Sequence, residues 1–471
     1  MQSIAIEQTK EMTKRQVNTI VLFIFVVFPL LYFALDHYEL PTHIVLYEQA
    51  NKVKAMIVSL LRILSYITYV LWIITAIQWL IRNKAYKGIK TAFKHWIMIL
   101  RIRRMFLDSN YFVNRVYMGR PISQPLHVDL EFKDNGQATL RVENHLKYDS
   151  KLDGARLGSA LGSYIVENDY ITDDNNYYMY DLLDYRTMML QREFDDYETY
   201  KKWCTKDISD YELKIDDRLT VKYGHFLLVG QTGSGKTYAL YHLILQSFMK
   251  SKKKRAQMHY VDPKGSSLMS VGKMLSPSTT PVPKKDEVSN YEAMKDEIEK
   301  VYNILFERQK EISPKLENER LDADYTDFNM RPIVLIIDEW AALSKQLSAE
   351  TKKQEPRDIV GMVSQIIFTG RQLGVFLWAI MQQANAKAMP TEIRDNMMFR
   401  TVLGNSERTT YETAFSAGEV AEIPNTKKDA GTGVYRYTGS DKNKPSLLAF
   451  PYLKFDLITE FRRLGSKDNN Y

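Results

Sequence analysis

Two stretches of this chain carry residues of the types and spacing that handle phosphate. The first is GQTGSGKT, Gly230 to Thr237, which fits G-x-x-x-x-G-K-[ST] in full. It follows the apolar run HFLLV and opens a helical pattern, the strand–loop–helix context in which such a loop works. Glycines let the backbone amides of Gly230, Gln231, Thr232, Gly233, Ser234 and Gly235 turn inward around phosphates. The start of the following helix adds the positive end of its dipole. Lys236 is expected to reach the β- and γ-phosphates, and Thr237 to give its hydroxyl to Mg²⁺. The cofactors this implies are ATP and Mg²⁺.

The second stretch is PIVLIIDEW, an apolar strand ending in two acids. Asp338 is placed to hold Mg²⁺ through its water shell. Glu339 follows directly, where a carboxylate can polarise an attacking water. An acid pair at a strand end is common, and it gains meaning from the phosphate loop upstream. Further on, the strand in LWAIMQQAN ends in Gln382, placed to sense the γ-phosphate or simply to hydrogen-bond at a strand end. Arg371, Arg400 and Arg408 come late in the sequence. One of them is a candidate finger for a neighbour's nucleotide, and the sequence does not choose between them.

These residues need a scaffold that brings distant strand ends together. From residue 216 apolar runs alternate with helical stretches: HFLLVG, MHYVD, PIVLIID, VFLWAIM and MFRTVLG. Strands without polar alternation suit a parallel sheet covered on both faces. The fold class expected is α/β, a P-loop, RecA-like domain over 216–456 with a short tail at 457–471. Residues 105–215 read as a small α+β unit. There HVDLEF and QATLRVEN alternate around the hairpin signal Asn135–Gly136, SKLDGARLGSALGSYIVEN reads as a helix, and YYMYDLLDY as a strand.

A chain of 471 residues is too long for one core and implies two or three units. Its net charge of +7 permits anionic partners without proving one. The single cysteine, Cys204, excludes an intramolecular disulfide framework and a Cys-based zinc site. The apolar residues concentrate early. VNTIVLFIFVVFPLLYFAL, 17–35, and ILSYITYVLWIITAIQWLI, 63–81, are each the length of a membrane-crossing helix. Trp79 suits an interfacial belt. The expected layout is a cytoplasmic N-terminus at 1–16, a span at 17–35, an outside loop at 36–62 and a second span at 63–81. A basic segment at 82–104 follows, carrying Arg82, Lys84, Lys87, Lys90, Lys94, Arg101, Arg103 and Arg104. By the positive-inside rule that flank and the rest of the chain are cytoplasmic. The basic segment either lies on anionic headgroups or serves only as a topology signal.

Taken together the motifs resemble the FtsK/SpoIIIE family of DNA-translocating ATPases. The ordered set is FLLVGQTGSGKT, YVDPKGSSL, VLIIDEW, TGRQLGVFLWAIMQQ and MPTEIRDNMMFRTVLGNSERTTYE, over roughly residues 215 to 453. The family's Asp-Pro-Lys is matched by Asp262, Pro263 and Lys264. Its Arg-Ala-Ala-Gly corresponds to RQLG from Arg371, its Thr-Gln-Arg-Pro to MQQA with Gln382 at the Gln, and its Ser-Arg-Thr to SERT with Arg408. RQLG and MQQA depart from the pattern, which leaves the sensor and finger roles open. Two spans and little after the ATPase domain make the layout similar to the TcpA-like coupling proteins of Gram-positive conjugative elements. That resemblance implies a homo-hexamer at the bacterial cell membrane, binding DNA of unspecified strand form, a relaxase and a type IV secretion channel. Three other functions compete: a chromosome-segregation pump, a protein-moving ATPase as in type VII secretion, and a nucleotide-gated docking platform for relaxase.

Overall fold

The computed structural model describes residues 26–27, 29–39, 47–117, 120–133, 136–148, 152, 157–188, 190–281, 287–318, 320–340, 343, 355–382, 390–420, 423, 428–440 and 444–469. The chain divides into two compact units, one of residues 1–131, 140–162 and 171–179, the other of 132–139, 163–170 and 180–471.

In the first unit helix α1, Tyr47–Arg82, runs for 36 residues. Among the described residues it is one helix long and apolar enough to cross a membrane, with mean hydropathy 2.0 in its most apolar window and most side chains there exposed. The expected span at 63–81 lies inside it. Of the expected outside loop at 36–62, residues 40–46 lie outside the described residues, and 47–62 are helix continuous with 63–81. YEQANKVKAMIVSLLR holds neither glycine nor proline, so nothing stops the helix from starting early. Of the other expected span, 17–35, residues 17–25 and 28 lie outside the described residues and 29–35 are helical. A two-span hairpin is therefore not established.

Lys84 and Gly88, both at positive φ (55° and 113°), turn the chain into helix α2, Ile89–Asp108. The expected basic segment is thus largely helical. Its inner face buries Ala92, His95, Met98, Ile102 and Phe106. Strands β1, Phe112–Tyr117, and β2, Arg120–Pro125, pair antiparallel. Strands β3, Val128–Phe132, β4, Gln137–Glu143, β5, Tyr164–Ile171, and β6, Tyr177–Asp184, form a sheet in the order β3-β4-β6-β5. Of the helix expected over SKLDGARLGSALGSYIVEN, residues 150, 151 and 153–156 lie outside the described residues; Gly158–Leu161 is a single helical turn, and the strand from Tyr164 corrects the rest. Gly162 at φ 67° ends that turn, and Tyr164, Ile165 and Val166 favour the strand that follows.

The second unit is built on a seven-stranded sheet. In chain order its strands are β7, Phe226–Gly230, β8, Gln257–Val261, β9, Ile333–Ile337, β10, Val375–Met381, β11, Phe399–Leu403, β12, Thr432–Tyr437, and β13, Ser446–Ala449. Their order in space is β8-β9-β10-β7-β11-β12-β13. The first five are parallel, and β12 and β13 are antiparallel. The sheet is therefore mixed where the sequence suggested a parallel one. Every residue of β7, β9, β10 and β11 is buried, as an apolar run without alternation requires. Helix α4, Lys236–Met249, follows β7, and α5, Ser267–Leu275, follows β8. Helices α6, Glu287–Asn318, and α7, Glu355–Leu373, pack on each other, α6 also on β8 and β9 and α7 on β10.

Residues 186–215, read from sequence as part of the smaller unit, lie in this second core. Helix α3, Tyr197–Thr205, buries Tyr197, Tyr200, Trp203 and Cys204 against it. Tyr200 Oη lies 2.7 Å from Nδ1 of the buried His242 on α4. His242 Nε2 lies 2.7 Å from the Lys214 carbonyl. A carbonyl only accepts, so Nε2 carries the proton and Nδ1 accepts from the tyrosine. Gln246 on α4 bonds both backbone groups of Lys214, at 2.8 Å each. Burial drives the His242 pKa down to about 4.

Candidate nucleotide-binding site

The parallel register sets the site. Gly230 stands opposite Leu403 at the end of β11, Val229 opposite Met381, Ile337 opposite Ala379 and Val261 opposite Ile337. The residues just past these positions therefore share one edge of the sheet: Asp262, Asp338, Glu339, Gln382 and the loop after Gly230. Strand β10 sits between β7 and β9, which puts Gln382 between the loop and the acid pair.

The loop is shaped by backbone that only glycine adopts freely. Gly233 and Gly235 have φ of 82° and 91°. A Cβ on Gly235 would stand 2.4 Å from the Gly431 nitrogen. Gly431 N–H donates to Ser234 O at 2.8 Å, so the loop is braced by the start of β12. Lys236 opens α4, and its Nζ donates to Gly230 O and, at 3.0 Å, to Gln231 O. Burial lowers the Lys236 pKa, opposed by Glu339 and Asp338. Ser234 Oγ is buried with no hydrogen-bond partner. Thr237 is exposed. An orphaned hydroxyl, a lysine satisfied only by the loop's own carbonyls and a helix start behind them fit a bound polyphosphate.

The acidic side is more crowded than the sequence suggested. Burial raises the Asp338 pKa, and Asp262 and Glu339 add to it, while Lys264 and Ser266 oppose the rise. Asp262 accepts from Ser266 N at 2.7 Å, Ser266 Oγ at 2.9 Å and Met269 N at 3.2 Å, capping the start of α5. Ser266 Oγ also lies 3.4 Å from Asp338 Oδ2. Glu339 is buried and held at φ 62°, a left-handed conformation unusual for a residue with a side chain. Its Oε2 accepts from Lys264 Nζ at 3.0 Å. Among the described residues no three His, Cys, Asp or Glu side chains could hold a metal by themselves. Magnesium is commonly held by one or two carboxylates together with substrate phosphates, and Asp338 and Thr237 would fill that part.

Lys264 and Ser266 are the working residues that motif reading left without a role. The sequence carried no local signal for either: Asp262 stands five residues before the first residue of α5, outside the spacing of an N-cap. The arginines separate by place. Arg371 ends α7 just before β10, at the sheet edge opposite the phosphate loop, close enough to His225 and Tyr437 to influence both. Arg400 is buried in β11 and donates to the Ala414 and Phe415 carbonyls at 3.3 Å. That leaves it occupied with packing. Arg408 opens helix α8, Arg408–Ala414, beyond the site end of β11. It is exposed and bonds Glu412 at 2.7 Å. Gln382 is exposed at the end of β10.

An edge bearing phosphate loop, acid pair and inserted strand defines a P-loop ATPase domain. Residues 186–386 match the sequence model of the FtsK/SpoIIIE family, and the chain carries a domain of that family. It is similar to the FtsK domain-containing protein YdcQ of Bacillus subtilis (strain 168), 28% identical over 212 residues. That match covers 45% of this chain and 40% of that relative, so the chain spans less than half of it. Among solved structures, the pCW3 conjugation coupling protein TcpA in monomer form with ATPgS is 16% identical, at a TM-score of 0.43. That likeness covers 75% of this chain and 95% of the other. EssC (ATPases 2 and 3) from Geobacillus thermodenitrificans is 14% identical at a TM-score of 0.40, covering 55% of this chain and 48% of the other.

Proposed function

We propose that the chain is a membrane-anchored, ATP-hydrolysing DNA translocase. In this reading it works as a homo-hexamer and acts as the coupling protein of a conjugation system, passing relaxase-bound DNA to a type IV secretion channel. The observation that carries hydrolysis is the grouping of Lys236, Asp338 and Glu339 at one sheet edge, with Glu339 held in a strained backbone conformation. Helix α1 supports the anchor. The family domain and the motif order support DNA as the cargo.

Mg²⁺ would supply charge neutralisation between the phosphate oxygens. Lys236 leaves the carbonyls of Gly230 and Gln231 and binds phosphate in their place. Asp338 holds its position through Ser266. Glu339 orients a water and takes its proton, with its Oε2 accepting from Lys264 Nζ. The φ of 62° fixes where that carboxylate points.

The test is ATP hydrolysis by the full chain in lipid nanodiscs, alone and with single-stranded or double-stranded DNA. Stimulation by DNA that weakens with salt is expected, and the better strand form names the cargo. Glu339→Gln should lose at least 10²-fold in turnover and keep nucleotide binding. Hydrolysis indifferent to both DNA forms would sink the DNA-motor reading and favour a protein cargo.

A further inference from the structure

Helix α2 has an outer surface that the fold does not use. Around its circumference, at about 3.6 residues per turn, three stripes run side by side. One is the inner face of Ala92, His95, Met98, Ile102 and Phe106, all buried. The second is apolar and exposed: Ile89 at 64%, Phe93 at 48%, Trp96 at 40%, Ile97 at 43% and Leu100 at 47%. These five fall within about a third of the circumference. The third is cationic and exposed, with Lys90, Lys94 and Arg101 along one flank of the apolar stripe; Arg104 lies in line with the stripe, one turn past Leu100.

The inner face fixes the helix about its own axis. His95 reaches the Leu130 carbonyl at 3.0 Å and Asn83 Oδ1 at 3.2 Å. The apolar stripe continues into the apolar surface of α1. Trp79, near the end of α1, lies 5.0 Å from Phe93 and 6.1 Å from Trp96, ring centre to ring centre. Asp129 pairs with Lys84 at 3.2 Å and Glu131 with Lys87 at 3.3 Å. Within α2 the one acid is Asp108, at its last residue, 3.9 Å from Arg104.

We infer that α2 is an interfacial membrane helix, lying along an anionic lipid surface with Phe93, Trp96, Ile97 and Leu100 inserted below the headgroups. The inference rests on the reading of α1 as a membrane anchor. An exposed apolar stripe beside a cationic one is the pattern of helices that lie in the plane of the headgroups. Each Lys or Arg near an anionic surface adds electrostatic attraction, so the cations on α2 decide the lipid preference. The Trp79, Phe93 and Trp96 rings form the aromatic belt at the point where the chain leaves the bilayer.

The test places nitroxide spin labels in the full chain, reconstituted in phosphatidylglycerol–phosphatidylcholine vesicles. Cys204 is buried, with its thiol pushed up to about 12, so labels go to introduced cysteines. Leu71→Cys reports the span, Ile97→Cys the apolar stripe of α2, and Lys90→Cys its cationic flank. Accessibility to oxygen against a water-soluble nickel chelate gives depth. Label 71 should sit deep in hydrocarbon, label 97 about 5–10 Å below the phosphates, and label 90 at the headgroups. Label 71 in lipid with label 97 in water, or immobilised against protein, overturns this inference and leaves the anchor standing. Label 71 in water overturns both. In pure phosphatidylcholine, or with Lys90, Lys94, Arg101 and Arg104 changed to Gln, label 97 should move toward water. Unchanged depth there overturns the preference for anionic lipid.

Discussion

At the scale of single residues, the contact with most chemical consequence is the Lys264–Glu339 ion pair. Lys264 also stabilises the charged form of the neighbouring Asp338, against burial and two nearby acids. Removing it in Lys264→Met should raise the proton affinity of Asp338 further. Hydrolysis needs Asp338 ionised, and it falls as pH drops through the raised pKa of that group. The acid limb of the rate–pH profile should therefore move to higher pH in this variant. An unmoved limb would mean that Lys264 does not act on the acids during turnover. Gly235→Ala places a Cβ against the Gly431 backbone at φ 91°. The left-handed backbone alone costs about 1–2 kcal/mol, and nucleotide binding measured by fluorescent analogue should be lost or weakened at least tenfold. Residue identities in the loop and in Asp338–Glu339 were legible because backbone geometry and metal chemistry demand them at fixed spacing. Lys264 was not legible as a partner, because nothing local to PKG says which carboxylate, seventy-odd positions on, its ammonium will meet.

At the scale of elements, the five parallel strands could be read directly, because burial on both faces leaves no polar alternation. The two antiparallel strands were missed for the opposite reason: TGVYRY and SLLA are short and look like loop-bounded fragments. Helix α3 shows how burial decides allegiance. Its aromatic face belongs with the nucleotide domain, and its polar join is the Tyr200–His242–Lys214 network. His242 is held neutral, with a folded pKa of about 4 against about 6.5 when unfolded. Below pH 6.5 the unfolded chain therefore binds more protons, and stability falls as pH drops from 6.5 toward 4. The full effect is on the order of 3 kcal/mol. His225, driven down to about 3 by burial, adds in the same direction. The melting temperature should drop between pH 7 and pH 5, and His242→Gln, which keeps a donor for the Lys214 carbonyl, should shrink that drop. An identical drop in the variant would assign the pH sensitivity elsewhere.

At the scale of the whole molecule, the open matter is how subunits would cooperate. Arg408 is exposed at the same sheet edge as the nucleotide site, and Arg371 stands at the opposite edge, about 17 Å away along a five-residue strand. If a neighbour's nucleotide is completed by Arg408, then Arg408→Ala chains mixed into wild-type protein should depress hydrolysis beyond their share. Arg371→Ala chains should dilute it in proportion. The reverse ranking would exchange the two roles. Membrane layout was only partly legible, since hydropathy marks the apolar window of α1 but not the helical turns that extend it before residue 63. The brace between Gly431 and Ser234 carries one more consequence. Half of the cradle is written near the end of the chain, so the famous eight-letter motif is not portable. A protein cut before residue 431 would keep every signature letter and still lose its hold on nucleotide, as a vise does with one jaw removed.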